Sequence, residues 1–205
     1  MSETILWDYP KSSASYRVRI ALNLAGIDYR IETVNLLEKA HRSNAHLARN
    51  PQGLVPVLDI DGHRFTQSLA ILEYLDTTRE MGLLPADPAS RAKVQAAAHA
   101  IAVDLHPVCN LSVVGHATGG QDPARTDWMR HFIRPGLQAF EALIAEHDDA
   151  PFACGHTPGL ADICLMPQLY NATRWGADYS DLPRINAVQT ACAKLDAFKA
   201  AYPAD

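Results

Sequence analysis

The chain carries no block of basic residues, no cysteine pair at metal-binding spacing, and no apolar run long enough for a bilayer. Its 18 Lys and Arg stand against 23 Asp and Glu, for a formal net charge of -5. That balance, with no basic patch, excludes nucleic acid and an anionic membrane surface as expected partners. No stretch approaches the roughly 20 apolar residues of a membrane span. The first residues read straight into a strand with no signal-peptide pattern, so the cytoplasm is the expected location. Cys109, Cys154, Cys164 and Cys192 lie far apart with no CxxC between them. This spacing predicts reduced thiols and no metal site. Internal repeats and low-complexity tracts are also absent. What remains is an ordinary globular composition, 48% hydrophobic and 20% charged over 205 residues, enough for one large domain or two small ones.

The chain divides into two unlike parts. Residues 1–82 alternate strand and helix signals: a strand at Ile5–Tyr9, a helix over 13–25 closed by Gly26, and a second strand at Tyr29–Val34. A polar, His-rich stretch follows at 38–49, and then Val55–Ile60 and His63–Phe65 flank Asp61-Gly62, a tight-hairpin signal. A helix from Gln67 to Met81, with Gly82 as its stop, closes this part. The order β-α-β-α-β-β-α predicts a mixed sheet with helices on its faces. Residues 83–88, with two prolines, read as a linker. Residues 89–205 read as all-helical, over 89–117, 124–147, 160–175 and 184–199.

Candidate chemistry gathers at two helix starts. Ser12, Ser13 and Ser15 lie where the first strand turns into a helix with an apolar face of Val18, Ala21, Leu22 and Ala25. The unpaired N–H groups and positive dipole end of a helix suit an anion there. The hydroxyls can either cap the helix or point at a bound thiolate. Gln67-Ser68 opens a second helix and suits a carboxylate, Ser68 being otherwise a cap. Val55-Pro56 enters the third strand, where a cis bond would leave the preceding N–H and C=O free for a ligand; a plain edge-strand proline is the alternative.

Taken together these residues resemble the glutathione transferases, and the zeta class in particular, over nearly the whole chain. The resemblance rests on Ser12-Ser13-Ala14-Ser15-Tyr16-Arg17-Val18-Arg19-Ile20-Ala21-Leu22, on Asn50-Pro51-Gln52-Gly53-Leu54-Val55-Pro56, on Gln67-Ser68-Leu69-Ala70-Ile71-Leu72-Glu73-Tyr74-Leu75, and on Leu160-Ala161-Asp162-Ile163-Cys164-Leu165-Met166-Pro167-Gln168. It implies an N-terminal thioredoxin-like domain with a mixed four-stranded sheet, a C-terminal helical domain, a homodimer, and glutathione as cofactor. It also implies a glutathione-dependent cis–trans isomerase of a maleylacetoacetate-like diacid. Val55, ahead of Pro56, would pair with the cysteinyl part of glutathione, and Gln67 and Ser68 would hold the γ-glutamyl end. His41 falls near the glycyl carboxylate, and Asn110 reaches the site from the helical part. Ser12 is the favoured hydroxyl for the sulfur, ahead of Ser13 and Ser15. Arg174 and Lys11 are the candidate cations for the substrate carboxylates; His106 is a site residue or a packed histidine.

Two departures matter. Ala14 stands where relatives often carry cysteine, which excludes thiol exchange from that position but not isomerisation, whose nucleophile is the bound sulfur. Gly159 stands where a helix cap usually begins with Ser or Thr, an acceptable substitute that costs a few tenths of a kcal/mol. Maleylpyruvate isomerase, conjugation of electrophiles such as haloacids, and a silent glutathione-fold module are the competing readings. Leu111-Ser112, where maleylpyruvate isomerases carry extra arginines, favours maleylacetoacetate.

Overall fold

A computed structural model describes residues 3–147 and 149–203. Its described residues group into two compact units, residues 3–81 with 196–203, and those of 82–195.

In the first unit the sheet has the order β2-β1-β3-β4, from β1 (Ile5–Asp8), β2 (Arg30–Thr33), β3 (Val57–Ile60) and β4 (His63–Thr66). β1 pairs in parallel with β2 and antiparallel with β3, with Leu6 opposite both Ile31 and Leu58. The sheet is therefore the mixed, four-stranded one expected. Asp61 (φ 54°) and Gly62 (φ 80°) take the two left-handed positions of the β3–β4 turn, the conformation for which Asp-Gly is suited. A 3-10 turn over Ala40–Arg42 and a short helix α2 (Asn44–Leu47) occupy the polar stretch, and β3 begins only after Pro56.

Helix α1 (Ser13–Leu24) departs from the expected one-sided stripe. All eight residues from Ser15 to Leu22 are buried, including Arg17 and Arg19. The helix is covered on several sides, packing on α3 (Ser68–Arg79) and on α10 (Asp196–Ala201), so apolar periodicity understates its burial. α3 also stops earlier than expected: Glu80 (φ 51°) takes the left-handed cap that Gly82 was expected to supply.

Among the described residues, the regular elements of the second unit are all helices. The helix expected over 89–117 is three pieces, α4 (Pro88–His99), α5 (His106–Val108) and α6 (Leu111–Thr118), with a π-helical stretch at Ala100–Leu105 and a 43° bend before α6. Pro107 explains part of the break, since it has no N–H for the carbonyl one turn earlier. Among the described residues no single helix is long and apolar enough to cross a membrane, although the bent pair 88–118 passes by length and composition. α7 (Ala124–Leu143) and α8 (Leu160–Trp175) follow, α8 at its expected bounds. The expected final helix over 184–199 is two, α9 (Pro183–Cys192) and α10, and α10 returns to the first unit.

α8 is the buried axis of this unit, and its start is fastened by Asp162. Its carboxylate accepts the N–H of Ala153 at 2.8 Å and of Gly159 at 2.9 Å. Leu160 donates to the Leu83 carbonyl at 3.0 Å, so the first residue of the expected linker is itself packed. Burial pushes the Asp162 carboxyl up to about 6 against those hydrogen bonds.

Candidate active site

The expected ligand groups of the first unit lie on loops flanked by helix starts. Ser12 is the N-cap of α1, and its Oγ accepts the Ser15 N–H at 3.2 Å. A hydroxyl that accepts this bond still has its own proton to donate. Capping and contact with a thiolate, opposed readings in the sequence, are therefore compatible at Ser12. Ser13 begins the helix half-exposed, whereas Ser15 is fully buried and turns its hydroxyl toward the Asp8 carboxyl. Ser15 thus has no accessible surface for a ligand, because the helix at that turn faces the core. Lys11 is exposed and has no ion-pair partner among the described residues.

The peptide between Val55 and Pro56 is cis. Neither backbone group of Val55 makes a hydrogen bond among the described residues. The loop ahead of it is firmly held: Asn50 Nδ2 donates to the Leu54 carbonyl at 2.9 Å, and His46 Nε2 lies 3.0 Å from the same oxygen. Gly53 (φ 63°) completes this loop, and a Cβ there would come within 3.0 Å of the His41 carbonyl oxygen and Arg42 Nη1. His41 is half-buried beside it, and burial followed by the nearby Arg42 charge holds its pKa below the usual histidine value.

Gln67 has φ 68° and sends Nε2 to Gln52 Oε1 at 2.7 Å, tying the start of α3 to the Val55 loop. Ser68, first residue of α3, is buried and accepts from Arg17 Nη1 at 3.2 Å. The structure thus joins the starts of α1 and α3 through a buried guanidinium that the sequence reading did not single out. The available signal was two arginines inside the apolar run Arg17-Val18-Arg19-Ile20-Ala21-Leu22. A charge in such a run is buried only if it is paired or hydrogen-bonded.

The expected residues of the second unit are spread along its helices. His106 starts α5, half-buried. Asn110 precedes α6, and its side chain makes no capping bond. Arg174, in the last turn of α8, is exposed and lies 5.3 Å from the centre of the Trp175 ring, with no ion-pair partner among the described residues. Arg125 lies at the same distance from that ring but is paired with Asp122. An open cavity of about 520 Å³ lies between α7 and the loop after Gly176. Among its charges, Arg134 is paired with Asp181 at 2.6 Å and Arg130 donates to the Trp175 carbonyl at 2.9 Å.

None of the cysteines offers a ready thiolate. Cys109, Cys164 and Cys192 are buried, and desolvation pushes Cys109 and Cys154 up to about 12 and Cys192 higher still.

Comparison with known proteins supplies the context. Residues 2–77 match the family described as glutathione S-transferase, N-terminal domain. The chain is 55% identical over 206 residues to the maleylacetoacetate isomerase of Rhizobium meliloti (strain 1021), covering 98% of this chain and 97% of that protein. Among solved structures, the holo structure of a maleylpyruvate isomerase, a bacterial glutathione S-transferase of the zeta class, superposes with a TM-score of 0.92 at 38% identity, covering 97% and 96% of the two chains. The maleylacetoacetate isomerase from Anaeromyxobacter dehalogenans 2CP-1, with dicarboxyethyl glutathione and citrate bound in its active site, superposes with a TM-score of 0.87 at 37% identity, covering 98% and 91%.

Proposed function

This chain belongs to the glutathione S-transferase family, in its zeta class, and from that premise we propose that it is a glutathione-dependent cis–trans isomerase of a maleylacetoacetate-like diacid. One observation carries the reading. The relation to a maleylacetoacetate isomerase runs nearly the whole length of the chain, so it includes the helical unit and Arg174 as well as the fold of the first unit.

The first unit fits glutathione on its own geometry. Val55 has an unpaired N–H and C=O for the cysteinyl main chain. Two helix N-termini suit two anions, with Ser12 at one and Ser68, backed by Arg17, at the other. Bound glutathione supplies a thiolate that adds reversibly to the cis double bond, so that the adduct can rotate before the thiolate leaves. The rest is done by the chain. Ser12 donates a hydrogen bond from its free hydroxyl to the sulfur, and the start of α1 favours negative charge beside it. Gln67 and Ser68 hold the γ-glutamyl carboxylate, and His41, its pKa lowered by burial, is assigned to the glycyl end. In the second unit Arg174, unpaired and steadied by Trp175, takes a substrate carboxylate, and Lys11 offers a second, less directional charge. Asn110 and His106 are the remaining polar candidates of the second unit.

The A. dehalogenans relative binds a dicarboxyethyl adduct of glutathione and a tricarboxylate, which supports a carboxylate-bearing substrate here. Maleylpyruvate isomerisation is the competing reading, favoured by the zeta-class structural relative of that name, and Leu111-Ser112 weigh against it. A homodimer in the cytoplasm is part of the same proposal; sedimentation of the purified protein tests the dimer. Side-by-side assays with maleylacetoacetate and maleylpyruvate, each with and without glutathione, test the activity. Glutathione-dependent turnover of maleylacetoacetate is expected to be the faster, and turnover of neither overturns the reading.

A further inference from the structure

Arg19 uses all three of its guanidinium nitrogens inside the first unit. Nη1 donates to both Asp8 carboxylate oxygens at 2.8 Å, Nη2 to the Pro10 carbonyl at 2.9 Å, and Nε to the Ala201 carbonyl at 3.0 Å. Both side chains of the ion pair are at most 5% exposed. The residues thus gathered are the end of β1, the turn that leads to Ser12, and the last turn of α10. Within that turn, Arg19 binds the Pro10 oxygen, and the Ser12 N–H returns to the Tyr9 carbonyl at 2.9 Å. The side-chain hydrogen bond to the turn therefore comes from a buried ion pair. α10 is fastened to α1 a second time by Asn23 Nδ2, which donates to the Ala197 carbonyl at 3.0 Å, and the Tyr16 and Tyr202 rings meet edge-on at 6.2 Å.

We infer that Arg19, oriented by Asp8 and by the C-terminal helix α10, is a positioning residue for Ser12, so that α10 is part of the thiol-activating apparatus. The inference rests on the proposed contact between Ser12 and the glutathione sulfur. The physical reason is the short lever. Pro10 and Lys11 belong to neither strand nor helix, and a hydroxyl acting on sulfur through one hydrogen bond loses its effect when displaced by about 1 Å. A buried ion pair is weak evidence of stabilisation in itself, since a well-packed apolar pair does as well. What an apolar pair cannot do is hold the Pro10 carbonyl and the Ala201 carbonyl at once.

The test uses the full-length protein with glutathione, comparing Arg19→Lys, Asp8→Asn and Asn23→Leu, each with Ser12 intact and with Ser12→Ala. The readouts are the apparent pKa of bound glutathione from its thiolate absorbance, the glutathione Kd from calorimetry, and kcat and KM for the diacid. Arg19→Lys is expected to raise the bound-thiol pKa by about one unit, a roughly tenfold loss of thiolate and of kcat below that pKa, with Kd and KM changed less than about twofold. Asp8→Asn and Asn23→Leu should shift it in the same direction by less, and every shift should vanish with Ser12→Ala. Lowered melting temperatures with an unchanged bound-thiol pKa overturn the inference, as do equal shifts with and without Ser12. An unmoved pKa in Asn23→Leu removes α10 from it. A wild-type protein that binds no glutathione overturns the proposed function as well, whereas an active wild type with silent Arg19 and Asp8 variants overturns only the positioning role.

Discussion

The arginines of α1 and the arginine at the end of α8 share a chemistry and differ in every circumstance. Arg17 and Arg19 are buried and bonded, to Ser68 in one case and to Asp8, Pro10 and Ala201 in the other. Arg174 is exposed, has no carboxylate among its described neighbours, and is steadied only by the Trp175 ring. A guanidinium whose nitrogens are all occupied, as in Arg19, shapes backbone; one whose donors face water can take a ligand's carboxylate. The contrast extends to buried acids. Asp8 is neutralised by a cation, although burial still raises its pKa, while Asp162 is held by backbone N–H groups and reaches about 6.

The largest break in this comparison should come at Asp162. Asp162→Ala leaves the N–H groups of Ala153 and Gly159 unpaired in the core, a loss of about 3–5 kcal/mol and roughly 10 °C in melting temperature, read by thermal unfolding. The same carboxyl predicts a pH dependence. Its folded pKa of about 6 lies above the unfolded value, so the native state holds the extra proton between pH ~4 and ~6. The stability it contributes is complete below that window and is lost as pH rises through it. Denaturant titrations at pH 4.5 and 6.5 should show a loss in wild type that is absent from Asp162→Asn.

Arg174→Ala comes next and sharpens the division of labour. The diacid kcat/KM should fall about ten- to a hundredfold, the equivalent of 1.5–3 kcal/mol, with glutathione Kd and melting temperature unchanged. Full turnover at subsaturating diacid would make this arginine surface charge, and the contrast with α1 would collapse. Ser12→Ala should do the reverse. It should raise the bound-thiol pKa, leave the diacid KM in place, and cost about 1 kcal/mol of stability through the lost cap.

The smallest effect is expected at Gly159→Ser. The added hydroxyl would supply the usual cap, but a Cβ there comes within 3.0 Å of the Leu83 carbonyl oxygen. Gain and crowding should leave the melting temperature within about 1–2 °C of wild type, a net change under ~0.5 kcal/mol.

The strands, the Asp61-Gly62 turn, α8 and the Ser12 cap were legible in the sequence because each is marked by a pattern within a few residues. The same holds for the Val55-Pro56 and Gln67-Ser68 positions, which are marked by residue types with narrow backbone preferences. Where the reading missed, distant partners had intervened. The stretch 89–117 has helical periodicity throughout, and only the structure shows the π-helical segment and the bend near Pro107. Ser15 belongs to the same run as Ser12 and Ser13, yet one turn of helix carries it into the core. Glu80 ends α3 where glycine was expected, a choice that local preference opposes.

By itself, then, the amino-acid order determined which elements form and which side chains could meet a thiol or a carboxylate, since capping, turn and strand preferences act over three or four residues. Tertiary structure alone decided that Arg17 stands behind Ser68, that Arg19 joins Asp8 and Pro10 to Ala201, and that α10 returns to the first unit. Arg19 and Ala201 lie 182 positions apart in the chain. A buried guanidinium must find acceptors wherever the fold supplies them, because leaving it unpaired in the core costs more than the chain's marginal stability allows.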